Sequence, residues 1–340
     1  MAVKIVKDLS LAAWEKFIAA HPETNFLQSW WWGEFNEQIG RSVYRLGYEK
    51  SGKLVGVMLA VVEPARRGRY LTVAGGPILD WRDGSTVAAW VDSLRDLARR
   101  ERCVFVRVRP QLLADTFSRE LFARQGFRSA PMHLSAELTS QLQLDRSEED
   151  LLANMRQQTR YEIRRAQKIG IEVIATTDSA ALHDFYNLQL ETAQRQGFVP
   201  FSEKFLTTQF AVFAQVDSAL LYTASYEGKV LAQAFVIFYG EEAAYHYGVS
   251  TLDGRKYPGA YLIQWEAIRE AKRRNMSRYN FWGVAPHGET QHRFHGVSVF
   301  KRGFGGEDVE YLHAQDLVIA PARYGMNWAI ENLRKTMRRV

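Results

Sequence analysis

The sequence predicts a mixed α+β fold in which one structural unit occurs twice in tandem. The chain has 340 residues, a length that suits two domains of ordinary size. In each half, strand-like runs around short turns precede an apolar pattern with helical spacing. Corresponding positions of the two halves lie 173 to 176 residues apart across several elements, which chance matches of short strings do not produce.

The first copy starts with two predicted strands around a Ser-Gly turn, over residues 48–62, and a third strand begins at Tyr70. The helix that follows carries apolar residues at helical spacing, namely Trp90, Leu94 and Leu97. It ends in Arg99 and Arg100, whose charge suits a helix C-terminus. A further strand is predicted over residues 104–108.

The second copy repeats this order, with two strands over residues 226–238 and a third over residues 244–250. Its helix carries a similar apolar series, namely Leu262, Trp265, Ile268 and Ala271, and a strand follows over residues 278–282. The acetyltransferase-like (GNAT) fold has the same order of antiparallel strands, helix and further strand. The sequence therefore predicts two tandem GNAT-like domains.

The domain boundary is predicted near residue 145, because a polar stretch at residues 139–143 precedes a new helical pattern. Domain 1 is expected over residues 1–145 and domain 2 over residues 146–316. A C-terminal helix within residues 317–340 lies beyond the second copy and is expected to pack back on domain 1.

Net charge and cysteine usage narrow the class of protein. A net charge of +6 permits a polyanionic partner such as RNA, a nucleotide-linked precursor or an anionic membrane. The single cysteine, Cys103, excludes a disulfide within the chain. The sequence shows no signal-peptide pattern and no run of the roughly 18 apolar residues that span a membrane. We expect a cytoplasmic, monomeric protein, for which peripheral contact with a membrane stays open.

A coenzyme A enzyme of this fold needs a glycine-containing loop whose N–H groups bind pyrophosphate at the start of the central helix. The corresponding segment is RKYPGA at residues 255–260, which keeps Arg255 and Ala260. Pro258 stands where the first glycine is needed, and proline has no N–H to donate. This substitution argues against an ordinary acetyl-CoA enzyme.

Four segments resemble the Fem family (FemABX), whose members attach amino acids from aminoacyl-tRNA to the stem peptide of peptidoglycan precursors. These segments are TRYEIRRAQKIGIEV at 159–173, YHYGVS at 245–250 with YLIQWEAI at 261–268, FKRGFGG at 300–306 and, more weakly, QSWWWGEF at 28–35. They follow the family's order through nearly the whole chain. The chain is similar to the compact members, which lack a coiled-coil insertion.

The resemblance implies an aminoacyltransferase that forms peptidoglycan interpeptide bridges during cell-wall biogenesis. Its donor would be aminoacyl-tRNA, and its acceptor an amine of a nucleotide-linked or lipid-linked precursor. The resemblance implies no metal and no cofactor. Which amino acid is transferred, to which position of the stem, and whether tRNA is the donor are left open by the sequence.

By the same resemblance, Phe300 and Lys301 match an aromatic–lysine pair that lies at the reaction centre of family members. Phe201 and Phe205 stand where compact members carry an Arg and a Tyr that grip the acceptor, after a turn at residues 195–197. The loss of this Arg, and of a lysine at the position of Asn36, removes charge-assisted bonds to phosphate or carboxylate. These replacements favour an acceptor other than the nucleotide-linked precursor, such as a lipid-linked muropeptide.

Further acceptor-site residues are implied by the resemblance and by aromatic content. Tyr247 matches a tyrosine that helps to hold the acceptor, and Asn36 aligns with a lysine that grips it. Trp32 and Trp282 are assigned to the same site as rings flanking the cleft.

Acyl transfer to an amine develops negative charge on the carbonyl oxygen, and one fixed donor aimed at this oxygen contributes roughly 3–4 kcal/mol. We interpret Lys301 as that cation, with the glycines of residues 303–306 letting the chain turn tightly near a ligand. The competing interpretation is a solvated lysine beside a glycine-rich turn.

A basic stripe is predicted on the helix after residue 156. Arg156, Arg160 and Arg164 are spaced i, i+4, i+8 and therefore share one helix face. They are candidate contacts for tRNA phosphates, and a solvated helix face is the alternative.

The histidines suggest no catalytic or metal site. His287, His292 and His295 are close in sequence, but ligation would require a third ligand and an orienting shell. Strand alternation predicts that His246 and Tyr247 face opposite sides of the sheet and cannot share a site.

Two other functions stay open. One is a GNAT-type N-acyltransferase with an acyl-CoA or a carrier-bound donor, which Pro258 disfavours. The other is a non-catalytic, degenerate GNAT pair that holds a precursor or RNA, which Lys301 in its motif disfavours.

Overall fold

The computed structural model describes residues 2–196 and 199–338, with the backbone alone for residues 195, 196, 255 and 334–338. Across the described chain there are two compact units. Unit 1 comprises Met1–Leu138, Gln291–Arg293 and Val309–Val340, and unit 2 comprises Thr139–Thr290 and Phe294–Asp308. Three features expected from the sequence lie outside the described residues: Gly197 in the predicted turn, the side chain of Arg255, and the last two residues of the predicted C-terminal helix.

Strands and helices are numbered along the chain. The strands are β1 (Lys4–Val6), β2 (Ser42–Lys50), β3 (Lys53–Glu63), β4 (Tyr70–Ala74), β5 (Ile78–Leu79), β6 (Phe105–Arg109), β7 (Arg128–Ser129), β8 (Leu138–Gln143), β9 (Glu172–Thr176), β10 (Ala219–Tyr226), β11 (Lys229–Tyr239), β12 (Glu242–Ser250), β13 (Arg278–Gly283), β14 (Glu307–Glu310) and β15 (Gln315–Val318). The helices are α1 (Leu11–Ala19), α2 (Trp30–Gln38), α3 (Gly84–Arg100), α4 (Thr116–Arg124), α5 (Glu148–Asn154), α6 (Gln157–Ile169), α7 (Leu182–Gln196), α8 (Glu203–Ala214), α9 (Gly259–Arg273), α10 (His295–Arg302) and α11 (Pro321–Arg338).

The two units repeat one topology. In unit 1 the sheet order is β1-β2-β3-β4-β6-β15-β7, with β5 beside β3, and in unit 2 it is β9-β10-β11-β12-β13-β8-β14. In each unit an antiparallel meander of three strands leads into a helix, α3 or α9, and the next strand lies parallel to the third. The predicted α+β fold with an internal duplication is confirmed.

The unit boundaries differ from the predicted domain limits because each sheet is completed by a strand from outside its own copy. β8 precedes the second copy and pairs with β13, so residues 139–143 belong to unit 2. β15 follows the second copy and pairs with β6. The stretch at 139–143 is polar, yet Thr139, Ser140 and Gln141 are buried strand residues and not a linker.

The C-terminal segment is part strand and part helix. Residues 317–318 belong to β15, and α11 begins at Pro321, so the predicted helix limits start too early. Within unit 1, α11 packs through Tyr324 on Phe105, with ring centroids 5.5 Å apart. The Tyr324 hydroxyl also donates to Asp316, whose carboxylate binds Arg107 at 2.8 Å. In the part of the chain that the structure describes, no helix combines the length and apolarity needed to cross a membrane.

The apolar faces predicted for the two central helices are buried. Trp90, Leu94 and Leu97 of α3 lie in the core of unit 1, and the corresponding series on α9 lies in the core of unit 2. Burying each large apolar side chain of this kind stabilises the fold by roughly 1.5–3 kcal/mol. Asp83 caps α3 by accepting from the N–H groups of residues 85 and 86, and this capping fixes where the helix begins.

Candidate active site

The candidate site lies in unit 2, where two parallel strands separate. β12 and β13 pair as far as Ala244 and Asn280. Beyond these positions both strands are irregular: β12 has an extra residue relative to β11, and the register of β13 with β8 shifts. The separation releases residues 245–247 and 281–283 from a regular ladder. Backbone and side-chain groups at such a break can face a ligand.

A β-bulge in β12 brings His246 beside Tyr247. Phe235 pairs with Tyr247 and Val236 with Tyr245, so His246 is the additional residue. The rings of His246 and Tyr247 are 3.9 Å apart between centroids. The prediction that these two side chains cannot share a site is wrong, because alternation holds only for a regular strand and a bulge suspends it.

The break in β13 centres on Trp282, whose φ of 63° lies in the left-handed region. Asn280 holds this turn by accepting from the N–H of Trp282 at 2.8 Å, and its amide nitrogen donates to Glu242. A bulky residue in this conformation costs on the order of 1–3 kcal/mol, which the surrounding structure has to offset. The ring of Trp282 lies 5.8 Å from that of His246, which places it at the same opening.

Lys301 is a buried cation at this opening. It lies in the last turn of α10 with 9% of its surface exposed, and its Nζ donates to the carbonyl of Gly283 at 2.8 Å. The ammonium is 5.6 Å from the centroid of the Tyr245 ring. Burial lowers the pKa of Lys301 to about 7. The interpretation of Lys301 as a solvated lysine is therefore excluded.

The glycines after Lys301 serve packing within unit 2. A Cβ on Gly303 would lie 2.4 Å from the hydroxyl of Thr159, and one on Gly306 would lie 2.9 Å from the carbonyl of Gln141. Gly305 has a φ of +86°, a conformation that favours glycine. These close approaches are to α6 and β8. The expectation that the glycines turn the chain around a ligand is corrected accordingly.

Phe300 contacts different neighbours from Lys301, because successive helix residues point about 100° apart. Its ring packs edge-on against Tyr261 at 4.9 Å and against Phe304 at 5.3 Å. Burial raises the pKa of the Tyr261 hydroxyl, and the charge of Arg156 beside it acts in the opposite direction. Phe300 thus shares a neighbourhood with the start of α6.

Three predicted acceptor residues form an aromatic wall, defined as Phe201, Phe205 and Tyr247. The rings of Phe201 and Phe205 stack at 4.8 Å, and Phe201 lies 5.2 Å from Tyr247. Next to the wall, Gln209 contacts His246 through the two Nε2 atoms at 2.9 Å. Burial raises the pKa of Tyr247 and lowers that of His246 to about 3, so both side chains are neutral near neutral pH.

The basic stripe on α6 is only partly directed outward. Arg156 and Arg164 are exposed. Arg160 is half-buried, and its Nη1 donates to the carbonyls of Ala153 and Met155 at the end of α5. Arg160 therefore caps a helix end, whereas Arg156 and Arg164 lie at the surface, with the Arg156 guanidinium beside the Tyr261 hydroxyl.

Asn36 and Trp32 belong to unit 1 and contribute to its packing. The buried Asn36 amide donates to the carbonyl of Trp32 at 2.7 Å and accepts from Arg41 at 2.9 Å. The ring of Trp32 contacts Phe26 at 5.6 Å and Phe35 at 5.2 Å. Their assignment to the acceptor site stays a prediction.

The segment that would hold a coenzyme pyrophosphate is engaged by protein groups. Arg165 of α6 donates to the carbonyl of Lys256 at 3.1 Å, and Tyr257 packs against Tyr226 with centroids 5.1 Å apart. Pro258 directly precedes α9, so this position offers no N–H at the helix start.

Sequence reasoning missed three contributors to the site: Tyr245, His246 and Gln209. One signal for them was present. A Cβ on Gly248 would lie 1.7 Å from the Tyr245 hydroxyl, so only glycine permits this close approach. A glycine inside a predicted strand marks such an approach or a bulge, and it is a warning against strict alternation.

Comparison with known structures agrees with the fold defined above, a tandem pair of GNAT-like units. A crystal structure of FemX superposes with a TM-score of 0.85 at 17% identity, covering 95% of this chain and 99% of that one. A tandem GNAT protein from the clavulanic acid biosynthesis pathway gives a TM-score of 0.60 at 13% identity, covering 93% and 98%.

The sequence profile of the FemAB family matches residues 9–126, 122–229 and 215–332, and the chain belongs to this family. The resemblance noted in the sequence is thereby confirmed. Among curated relatives, Lipid II:glycine glycyltransferase of Staphylococcus aureus is 23% identical over 217 residues, which is 61% of this chain. The chain spans about half the length of the curated relatives it matches, with 50% of that glycyltransferase covered.

The burial of Lys301 predicts a pH dependence of stability that requires no substrate. Its pKa is about 7 in the folded protein against 10.5 for an ordinary lysine, so between these values the unfolded chain binds a proton that the folded chain does not. Stability should therefore rise with pH in this window, with a contribution of up to about 1.4 kcal/mol per pH unit. Urea unfolding at several pH values from 7 to 10 gives the free energy of unfolding of the wild type and of Lys301→Met. The effect is the difference between the two slopes of this free energy against pH.

The matched control is Lys272→Met, since Lys272 also donates its ammonium hydrogens to backbone carbonyls, those of Leu144 and Arg146. This variant should keep the wild-type slope. Equal slopes for the wild type and Lys301→Met would contradict the lowering of the Lys301 pKa by burial.

Proposed function

We propose that this FemAB family member is an aminoacyltransferase that transfers the acyl group of aminoacyl-tRNA to an amine of a peptidoglycan precursor. The observation that carries the proposal is the buried ammonium of Lys301, held by the Gly283 carbonyl where β12 and β13 separate. The similarity to Lipid II:glycine glycyltransferase supports the same substrate class. We place this activity in the cytoplasm.

The proposed chemistry balances without a cofactor. The acceptor amine, once it has lost a proton, attacks the ester carbonyl carbon and forms a C–N bond. The carbonyl oxygen takes the electron pair and becomes negative. The pair returns as the bond to the ribose oxygen breaks, the nitrogen gives up a second proton to become an amide, and the ribose oxygen accepts a proton. Lys301, in its protonated form, supplies a positive charge at a fixed position for the oxygen in the tetrahedral state. One such donor contributes roughly 3–4 kcal/mol in a water-poor site.

The aromatic wall is the proposed seat of the acceptor peptide. Rings offer large apolar surfaces for an extended chain, and the Tyr247 hydroxyl can hydrogen-bond a peptide group. Phe201 is 43% exposed, so a ligand can reach the wall. With no charge among Phe201, Phe205 and Tyr247, the wall suits a peptide better than a pyrophosphate.

A lipid-linked acceptor is the form we favour. Helix α11 exposes Met326 and Leu333, which lie two turns apart on one helix face with 56% and 62% of their surfaces accessible. Apolar side chains on a helix that also carries arginines suit peripheral contact with an anionic membrane.

Asn36, Trp32 and Trp282 are proposed as further acceptor contacts.

Acyl-CoA is the less favoured donor. Arg165 and Tyr226 pack on the segment before α9, and Pro258 removes an N–H that pyrophosphate would use. The exposed Arg156 and Arg164 instead support binding of a nucleic acid.

Lys301→Ala should lower kcat for transfer by about a hundredfold or more, the scale of a lost oxyanion donor, with a smaller change in KM. The wild-type advantage in kcat/KM should shrink as pH rises through about 7, because Lys301 then loses its charge. Expressing the data as a wild-type to variant ratio cancels the titration of the acceptor amine. Steady-state transfer rates across pH provide the measurement.

Lys301→Arg is the control for charge, since it should restore part of the rate and show no such pH dependence. Lys272→Ala controls for the loss of a lysine–carbonyl contact, here one that is half-buried. Full recovery of the rate by Lys301→Ala at saturating acceptor would mean that Lys301 only binds, and the catalytic assignment would fail.

The exposed arginines of α6 should contribute to the salt dependence of tRNA binding. Replacing Arg156 and Arg164 together by Ala should flatten the log–log salt slope by about 1.5, at roughly 0.7–0.9 per phosphate contact. Adding Arg160→Ala should change the slope little further, because its guanidinium is bound to the end of α5. Filter binding at several salt concentrations gives these slopes, and a slope equal to that of the wild type would make the stripe a solvated face.

A further inference from the structure

Unit 1 contains a cluster of potential metal ligands outside the candidate active site, whose residues belong to unit 2. The cluster consists of His133, Glu137 and His313, and its three ligand atoms lie within 4.8 Å of one another. His133 and Glu137 are four residues apart in the segment before β8. His313 lies just before β15, 176 residues after Glu137.

One carboxylate oxygen of Glu137 contacts both histidine rings. Oε2 of Glu137 is 2.6 Å from Nδ1 of His133 and 2.7 Å from Nδ1 of His313. The side chain of Glu137 is 10% exposed and that of His313 is 30% exposed, while His133 is half exposed. Two ring nitrogens and one anionic oxygen therefore converge on one point that is open to solvent on the His133 side.

Outer contacts fix the orientation of the two more buried ligands. Nε2 of His313 lies 2.7 Å from the carbonyl of Ala130, and the N–H of Ala314 donates to Oε1 of Glu137 at 2.8 Å. Metal-binding histidines commonly donate the other ring N–H to a backbone carbonyl, and metal-binding carboxylates are hydrogen-bonded through the second oxygen. The cluster already has both features.

The same contacts require a positive charge between the histidine ring nitrogen and the Glu137 carboxylate. The carbonyl of Ala130 can only accept, so the Nε2 atom of His313 carries a hydrogen and donates it. In the neutral ring, Nδ1 then presents a lone pair to the Glu137 carboxylate at 2.7 Å. Two lone pairs face each other stably only with a positive charge between them, either a proton or a metal ion.

We propose that His133, Glu137 and His313 bind Zn²⁺ as a three-residue site with a fourth position open to water. Two imidazole nitrogens and one carboxylate oxygen are a donor set that zinc accepts, at about 2.0–2.2 Å from each ligand atom. Tetrahedral geometry at these lengths separates ligand atoms by about 3.4 Å. Both Nδ1 atoms, now 2.6 and 2.7 Å from Oε2 of Glu137, would have to move outward by about 0.7 Å to admit the ion.

Zinc at this point would join two segments distant in sequence. The segments already run side by side, since the N–H of Tyr311 donates to the carbonyl of Glu137 and the N–H of Ala130 donates to that of Ala314. An ion that binds the folded and not the unfolded chain stabilises the fold by mass action. Zinc bound here would therefore stabilise unit 1.

The test is zinc binding by the full chain after treatment with EDTA and dialysis. After zinc is added back and the excess is removed by dialysis, elemental analysis should find one zinc per chain, and the added zinc should raise the melting temperature. His133→Ala should weaken zinc affinity by at least about a hundredfold, since losing even a partner of a ligand costs roughly 10–100-fold, while keeping the Glu137–His313 contact and the fold. Glu137→Gln should weaken it as well.

His183→Ala is the matched control, because His183 forms an exposed histidine–glutamate contact with Glu203 at 2.7 Å in unit 2. It should bind zinc like the wild type. The proposal is overturned if the wild type takes up no stoichiometric zinc at micromolar concentrations, in which case a proton holds the cluster. It is equally overturned if His133→Ala binds zinc as tightly as the wild type.

Discussion

The separation of β12 from β13 is the constraint on which the proposed chemistry depends. If β12 and β13 stayed paired, their carbonyl groups would accept hydrogen bonds from the neighbouring strand. The Gly283 carbonyl would then not be available to accept from Lys301. Because the ladder ends at Ala244 and Asn280, this carbonyl is free to hold an ammonium in a site that would otherwise reject a charge. The bulge at His246 and the left-handed turn at Trp282 are the backbone irregularities that accompany the separation.

The first copy of the fold shows the alternative outcome. There β4 and β6 stay paired as far as Ala74 and Arg109. The N–H of Gly75, the residue after Ala74, still donates to the Arg109 carbonyl at 2.9 Å. The buried side chain of Gln28 donates to the carbonyl of Ala74 at 2.8 Å and also pairs with the backbone of Leu59. One side chain of unit 1, Gln28, thus binds the backbone at the end of the β4–β6 pair. The duplicated topology therefore differs between its copies at this point, which is why the chemistry is proposed for the second copy.

The sequence was sufficient for the fold and for part of the site. Helical spacing and matched offsets predicted the duplication, because apolar periodicity reports burial directly. The unit limits were misplaced, since buried polar strand residues such as Ser140 look like a linker without knowledge of their partner strand. His246 was placed on the wrong face because a bulge leaves no periodic signal. The contact between Glu137 and His313 could not be predicted from the sequence, because no local pattern links residues 176 positions apart.

The most direct test of the central claim is the transfer reaction itself. Purified protein is incubated with a mixture of charged tRNAs and with nucleotide-linked or lipid-linked muropeptides, and the products are read by mass spectrometry. A parallel reaction replaces the charged tRNAs with acetyl-CoA. The account predicts a muropeptide heavier by one amino-acid residue with charged tRNA, and no such product with Lys301→Ala over the same time. Acylation from acetyl-CoA alone, or an unchanged muropeptide under all of these conditions, would contradict it.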